Sequence, residues 1–253
     1  MIALLLVKLK NMTGAELATM IRVKTGSNST TFTDVVMLPM VKVFKDEISS
    51  LITEKNPMIF AVPAKDNLVA NQRSYAIPDD KLNSLVKVEC MFVSGDAYIP
   101  VVSIKDYEGS ETESEIVKDY ANVKGKCFYY IRRRAIQILS GTISAVTNGL
   151  RYWYLTYPAN PIISGTGSTT DMSVDPSTTT HGFPRQFHEL LARRVSIEWK
   201  GSRPKPIPLN ETERNYERDL ERQLNAIARE DLNLEIVGEL PVAEDLYQNG
   251  FDL

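Results

Sequence analysis

Histidine and cysteine are nearly absent from this chain of 253 residues, which holds two of each. His181 and His188 stand apart from Cys90 and Cys127, and neither cysteine belongs to a Cys-x-x-Cys pair. A zinc site of the usual kind is therefore not expected. His188-Glu189 opens like the helical motif His-Glu-x-x-His, but the fifth position is Ala192 and the second ligand is missing. A glycine-rich phosphate loop is missing too: Gly165-Thr166-Gly167-Ser168 has the composition of a linker, with no Gly-Lys-Ser/Thr after it. Two histidines with no recognisable nucleophile setting make triad chemistry unexpected. Asp79-Asp80 follows Pro78 and reads as a turn or helix start, not as an acid–base pair. His188 is expected to be a partly exposed helical residue pairing with Glu or Gln, and His181 to cap or pack a corner. On these grounds the chain reads as a non-enzyme that needs no cofactor.

Long apolar runs are also absent. No stretch reaches the roughly 18 apolar residues that a membrane span requires, so no membrane association is expected. Residues Ile2 to Val7 are apolar, but no basic segment precedes them and no small-residue cleavage site follows. They read as a strand, an ordered arm or the product of an upstream start codon. The expectation is a soluble protein made in the cytoplasm. Charge of one sign is lacking as well: the net charge is −3. The whole chain is therefore no electrostatic DNA binder.

What is present is a change of periodicity along the chain. Thr13-Gly14-Ala15-Glu16 is a capping box, and Leu17, Met20 and Ile21 form a helical stripe that stops at Gly26. A second helix begins near Thr33-Asp34, with Met37, Met40, Val41, Phe44, Ile48, Leu51 and Ile52 on one face, Pro39 early and Asn56-Pro57 at its end. From Met58 the period moves towards two, with candidate strands near Val86–Cys90, Tyr98–Val102, Cys127–Ile131, Ala135–Leu139 and Leu150–Leu155. Glu108 to Glu115 is acidic and reads as a solvated loop or a short exposed helix. A polar linker then runs into Pro184, where a helix with Phe187, Leu190, Leu191, Val195 and Trp199 is expected. After Pro204, Pro206 and Pro208, Asn210-Glu211-Thr212-Glu213 starts a last helix with a thin stripe of Tyr216, Leu220, Leu224 and Ile227. So thin a stripe suits a helix lying on a surface or between subunits.

The expected fold class is α+β. A helical bundle built from both chain ends would carry an inserted antiparallel β module and an extended C-terminal tail. The corresponding segments are 1–57 (arm and first two helices), 58–160 (β-rich insertion), 161–183 (linker), 184–230 (C-terminal helices) and 231–253 (docking tail). Cys90 and Cys127 lie in apolar runs and read as buried free thiols, with a disulfide between neighbouring strands as the alternative.

Two features could make contacts. Arg132-Arg133-Arg134 is the densest basic point and falls at a hairpin tip. It reads as a solvated turn, or as a contact with a phosphate backbone or an acidic subunit surface lining a lumen or a subunit boundary. The tail from Asp231 to Leu253 carries six acids and no Lys or Arg. It also holds Leu232, Leu234, Ile236, Val237, Leu240, Leu246, Tyr247 and Phe251, too many apolar residues for a purely solvated tail. Leu232, Leu234 and Ile236 alternate like a strand added to a partner's sheet edge. The tail is expected to be disordered alone and to order on a partner with a basic groove.

Four segments, in order, carry a family resemblance: Met12 to Ile52, Ser74 to Glu89, Phe128 to Ala159, and Asp175 to Lys200, the last reading DPSTTTHGFPRQFHELLARRVSIEWK. Together they resemble the head-to-tail adaptor proteins of tailed bacteriophages, the ring components of the virion neck. The resemblance implies a homo-oligomeric ring, typically dodecameric, docked on the portal protein. It implies a tail or tail-completion protein on the other side and a channel through which double-stranded DNA passes without being read. The alternative is another virion or tail component whose β module binds glycan or protein, with Tyr129, Tyr130, Tyr152, Trp153 and Tyr154 as the platform. A hydrolase of unrecognised type is a third and weaker reading.

Overall fold

The computed structural model describes residues 12–103, 127–139, 142–165, 168–169, 171–173 and 182–238, with backbone alone for 80, 82 and 229–238. His181, the Glu108–Glu115 segment and, within the 161–183 linker, residues 166–167, 170 and 174–181 lie outside these residues. The chain divides into two compact units, one from residues 1–59 and 157–253, the other from 60–156.

The first unit is helical. Helix α1 (Gly14–Thr25) starts at the Thr13–Glu16 capping box, in which the Glu16 amide donates to Thr13 Oγ1 at 3.2 Å and the Thr13 amide donates to Glu16 Oε2 at 3.0 Å. It ends at Gly26, whose left-handed φ of 65° suits glycine. Gly14 is needed for another reason: a Cβ there would lie 1.9 Å from the Ile162 carbonyl oxygen. Helix α2 (Asp34–Lys55) accommodates Pro39 and buries Met37, Val41, Phe44, Ile48 and Ile52. Its Lys45 is buried, a position the apolar pattern did not single out; Nζ donates to the Pro158 carbonyl at 2.7 Å and pairs with the exposed Asp46 at 2.8 Å.

The second unit is a seven-stranded sheet. Its strands are β1 (Ala61–Leu68), β2 (Ser74–Ala76), β3 (Leu85–Cys90), β4 (Ile99–Ser103), β5 (Phe128–Arg132), β6 (Ala135–Leu139) and β7 (Val146–Leu155), with the one-turn helix α3 (Asp79–Leu82) before β3. Hydrogen-bonded order is β1-β7-β3-β4-β5-β6-β2. The two outermost strands are thus consecutive in sequence, joined by residues 69–73. That link spans at most about 20 Å, whereas seven flat strands would set the edges about 29 Å apart. The sheet must curl, and the Val69 amide donates to the Tyr75 hydroxyl across the link at 3.2 Å. Curling encloses Leu68, Tyr75, Val88, Cys90, Tyr129, Ile136, Ile138, Leu150 and Tyr152 in one core. At Asn148 (φ 54°) a bulge in β7 shifts its register against β1.

The remaining helices complete the first unit. A 3₁₀ turn (Arg185–Phe187) leads into α4 (His188–Gly201), so Pro184 precedes the turn and does not open the α-helix itself. The one-turn α5 (Glu211–Arg214) has its own capping box, Asn210 with Glu213, and α6 (Tyr216–Gly238) follows. Leu17, Ile21, Met37, Val41, Ile48, Phe187, Leu191, Val195, Leu220, Leu224 and Ile227 are all buried. Phe32, from the turn before α2, stacks on Trp199 of α4 with ring centroids 3.9 Å apart.

The fold differs from the expected helical bundle with an inserted antiparallel module. The protein is mixed α/β, and its sheet is a unit with a core of its own. The sheet is not purely antiparallel either, because β4 and β5 run parallel. Parallel neighbours need a long crossover, and residues 104–127 supply it. Two of the seven strands were not expected: β1 contains Pro63 and β2 has only three residues, so neither announces itself by alternation.

Candidate interaction sites

Arg132, Arg133 and Arg134 fall at the tip of the β5–β6 hairpin. Arg132 pairs with Ala135 in the ladder, which leaves Arg133 and Arg134 as the two residues of the turn. Both have positive φ, 51° and 61°. This is the backbone of a type I′ turn, which matches strand twist and normally carries Asn-Gly. Arginine there costs roughly 1–2 kcal/mol per residue in steric strain. All three arginines are exposed, and Arg134 Nη1 lies 3.0 Å from Asp79 Oδ2, itself exposed.

The tail residues are only partly described. The backbone of Leu232, Leu234, Ile236 and Val237 continues α6, which runs to Gly238. The strand reading of this segment is therefore corrected. No glycine or proline interrupts the chain between Tyr216 and Gly238, so each further helical residue adds a hydrogen bond at small cost. Leu240, Leu246, Tyr247 and Phe251 lie outside the described residues.

The aromatic residues of the alternative platform separate into two sets. Tyr129, Tyr130 and Tyr152 are buried. Trp153 lies on the outer sheet face in a cluster that the strand patterns did not single out. Glu89 and Arg151 are direct partners in the β3–β7 ladder, and Lys87 is the partner of Trp153. Arg151 Nε donates to Glu89 Oε2 at 2.6 Å, Trp153 Nε1 donates to the same oxygen at 2.8 Å, and Lys87 Nζ lies 3.0 Å from Oε1. The Arg151 guanidinium sits 3.9 Å from the Tyr98 ring centroid and 5.5 Å from that of Trp153. Burial alone would raise the Glu89 carboxyl, but these hydrogen bonds outweigh it and hold it below its ordinary range. The cluster satisfies itself, which leaves the Trp153 ring already engaged. Only the cross-strand register brings the four side chains together.

His188 is buried, not partly exposed. Its Nε2 lies 2.7 Å from the Phe183 carbonyl, its ring stacks on Phe183, and Nδ1 is buried without a partner. Burial pushes its pKa below the ordinary histidine value, against opposing contributions from the Phe183 carbonyl and Asp171. Arg193 and Arg194 both bridge helices. Arg193 pairs with Glu189 (2.8 Å) and with Asp219 of α6 (2.6 Å), and Arg194 lies between Glu198 (3.5 Å) and Glu47 of α2 (3.8 Å).

A buried ion pair ties α4 to α5. Lys200 Nζ donates to both Glu213 oxygens at 2.7 and 2.8 Å, Ser196 Oγ donates at 2.7 Å, and the Asn210 amide donates at 2.9 Å. Burial would raise the Glu213 carboxyl, yet these donors hold it below its ordinary range. Cys90 and Cys127 are free, buried and hydrogen-bonded to one another. That hydrogen bond, with burial, pushes the Cys90 thiol far above its ordinary value and keeps it unreactive.

Exposed apolar residues gather on α1 and α2. A shallow, open groove along α1 is lined by Ala15, Glu16, Thr19, Met20, Val23 and Lys24. On α2, Val35 is 83% exposed, and Val36 and Val43 are also exposed. Among the described residues no three His, Cys, Asp or Glu side chains gather as metal ligands would, and no helix is long and apolar enough to cross a membrane. No protein-family model and no curated protein matches the chain.

Proposed function

We propose that this protein is a structural adaptor of a tailed-phage neck. In this reading it forms a homo-oligomeric ring, twelvefold by the sequence resemblance, that docks on the portal and leaves a channel for double-stranded DNA. A tail or tail-completion protein would occupy the opposite side. The order of the four resembling segments supports the phage assignment. The observation that carries an interaction role is helix α6. It is 23 residues long, and among its described side chains, residues 216–228, the buried apolar ones fall on a single line, Tyr216, Leu220, Leu224 and Ile227. Its other sides are charged, and it runs out towards an acidic segment rich in apolar residues. A helix buried along one line over that stretch, and followed in sequence by an acidic segment rich in apolar residues, suits a role in contacts between chains. The exposed valines of α1 and α2 belong to the same unit and favour further subunit contacts.

The test is electron microscopy of the purified protein alone and mixed with the portal of the same virus. A ring capping the portal is the expected result. A monomer that leaves the portal bare at micromolar concentration defeats the assignment.

A further inference from the structure

The β5–β6 hairpin holds charge where its backbone does not favour it. Arg133 and Arg134 occupy the two left-handed positions of the turn, which glycine and asparagine fill at lower strain. Nothing described on the chain offsets that choice. The Arg134–Asp79 pair joins two side chains that are 77% and 55% exposed, and such pairs contribute little. No described carboxylate pairs with Arg132 or Arg133, and both are exposed. Among the described residues β4 meets β5 at Phe128 and Tyr129, and on the other side of the hairpin the Ile77 amide donates to the Arg134 carbonyl at 3.4 Å. Strained, exposed residues whose one carboxylate pair among the described residues is weak are outliers of the kind that point to a functional contact.

We propose that this tip binds the phosphate backbone of duplex DNA without reading its sequence. Guanidinium groups present planar forks that fit phosphate oxygens, and three consecutive ones stand on a short, ordered turn. A protein partner would be expected to find a desolvated aromatic or aliphatic centre, but among the described residues of the hairpin tip Ile131 is the one exposed apolar side chain. Arginine can also pair with guanine in the major groove, so independence of sequence is read directly from duplexes of different sequence in the test below. The net charge of −3 requires the contact to be local. The proposal deepens the adaptor reading, on which it rests for the source of the DNA, but its test does not depend on ring or portal.

Full-length protein is titrated into a labelled mixed-sequence 30-base-pair duplex between 50 and 200 mM NaCl, followed by anisotropy. Wild type is expected to bind weakly, with affinity falling linearly on a log–log salt plot. Arg132→Ala/Arg133→Ala should lose on the order of tenfold in affinity at the lowest salt and reduce the slope by about 2, equally on duplexes of different sequence. Arg133→Gly keeps a backbone suited to the turn while removing one charge. It should show about half the slope change with an undiminished melting temperature. Arg133→Lys should retain most of the binding. No duplex binding by wild type at 50 mM, or unchanged slope in the double variant, overturns the proposal. So does loss of portal capping in the double variant with DNA binding intact, which would show that the tip faces protein. If the tip binds DNA but wild type caps no portal, the adaptor reading fails and this assignment stands.

Discussion

Replacing Glu213 with Gln would leave the Lys200 ammonium buried without its counter-charge. A broken buried pair costs far more than an intact one contributes, about 3–5 kcal/mol. E213Q should lower the unfolding free energy measured in urea by that amount, and the midpoint with it, whereas loss of the exposed partner in the Arg194–Glu198 pair should cost under about 1 kcal/mol. A midpoint for E213Q within error of wild type would show that the pair is not buried in solution. Acid acts on two of these groups in order. The folded His188 ring stays neutral at pH values where an unfolded chain, with a value near 6.5, takes up a proton. Stability is therefore present above that value and lost as pH falls below it. Asp171 and Arg185 face the ring from outside the helix and modulate the loss with opposite sign. Glu213 responds later: its folded carboxyl stays ionised where an unfolded one, near 4.3, would protonate, so its contribution is lost on further acidification. Urea unfolding at pH 7.5 and 5.5 should show a smaller drop for His188→Gln than for wild type. Equal drops would place the first acid response elsewhere.

Among the elements, the hairpin offers the sharpest contrast between strain and surface charge. Arg133→Asn with Arg134→Gly restores the residues that a type I′ turn favours and should raise stability by about 1–2 kcal/mol. The Arg134–Asp79 pair lost in that change is exposed and contributes at most about 1 kcal/mol. A net loss in thermal unfolding would mean that the arginines stabilise the fold, not an external contact. Gly14 presents the opposite case, since its constraint is steric. Gly14→Ala drives a Cβ into the Ile162 backbone and should cost more than Gly26→Ala, whose site is open and whose penalty is conformational, about 1 kcal/mol. Elements differ in the same way in how readable they were. The Thr13–Glu16 and Asn210–Glu213 boxes are complete within four residues, so residue type alone announced both helix starts. The buried lines of α2 and α6 follow a local period and were equally visible. His188 was misjudged because its burial is set by Phe183 and the start of α4 together, not by its neighbours in sequence. The Glu89 cluster was invisible because β3 and β7 meet only in the folded register.

For the whole molecule, the decisive fact is that the curled sheet begins and ends at one place. The Thr156 amide donates to the Phe60 carbonyl at 2.9 Å, and Ala61 pairs with Leu155. A unit whose two ends are hydrogen-bonded partners can interrupt another chain segment while asking little of it. What the sequence did not show is the strand order, since the parallel β4–β5 pair forms across residues that no periodicity connects. The sheet also has its own core, with Tyr75, Val88, Ile136, Ile138, Leu150 and Tyr152 all buried within it. Residues 60–156 expressed alone should therefore fold. A unit of about this size buries enough of its surface to be stable, though marginally. Its amide spectrum should be dispersed and its thermal unfolding cooperative. The complementary chain, with a short Gly-Ser link from Ile59 to Tyr157, should keep its helical circular dichroism, because the link replaces two ends that already lie side by side. If residues 60–156 give a collapsed spectrum without cooperative melting, the sheet depends on the rest of the chain and is no separate unit. If the relinked chain still caps portals, the helical unit alone carries docking and the sheet is free to serve the DNA contact assigned to its Arg132–Arg134 tip.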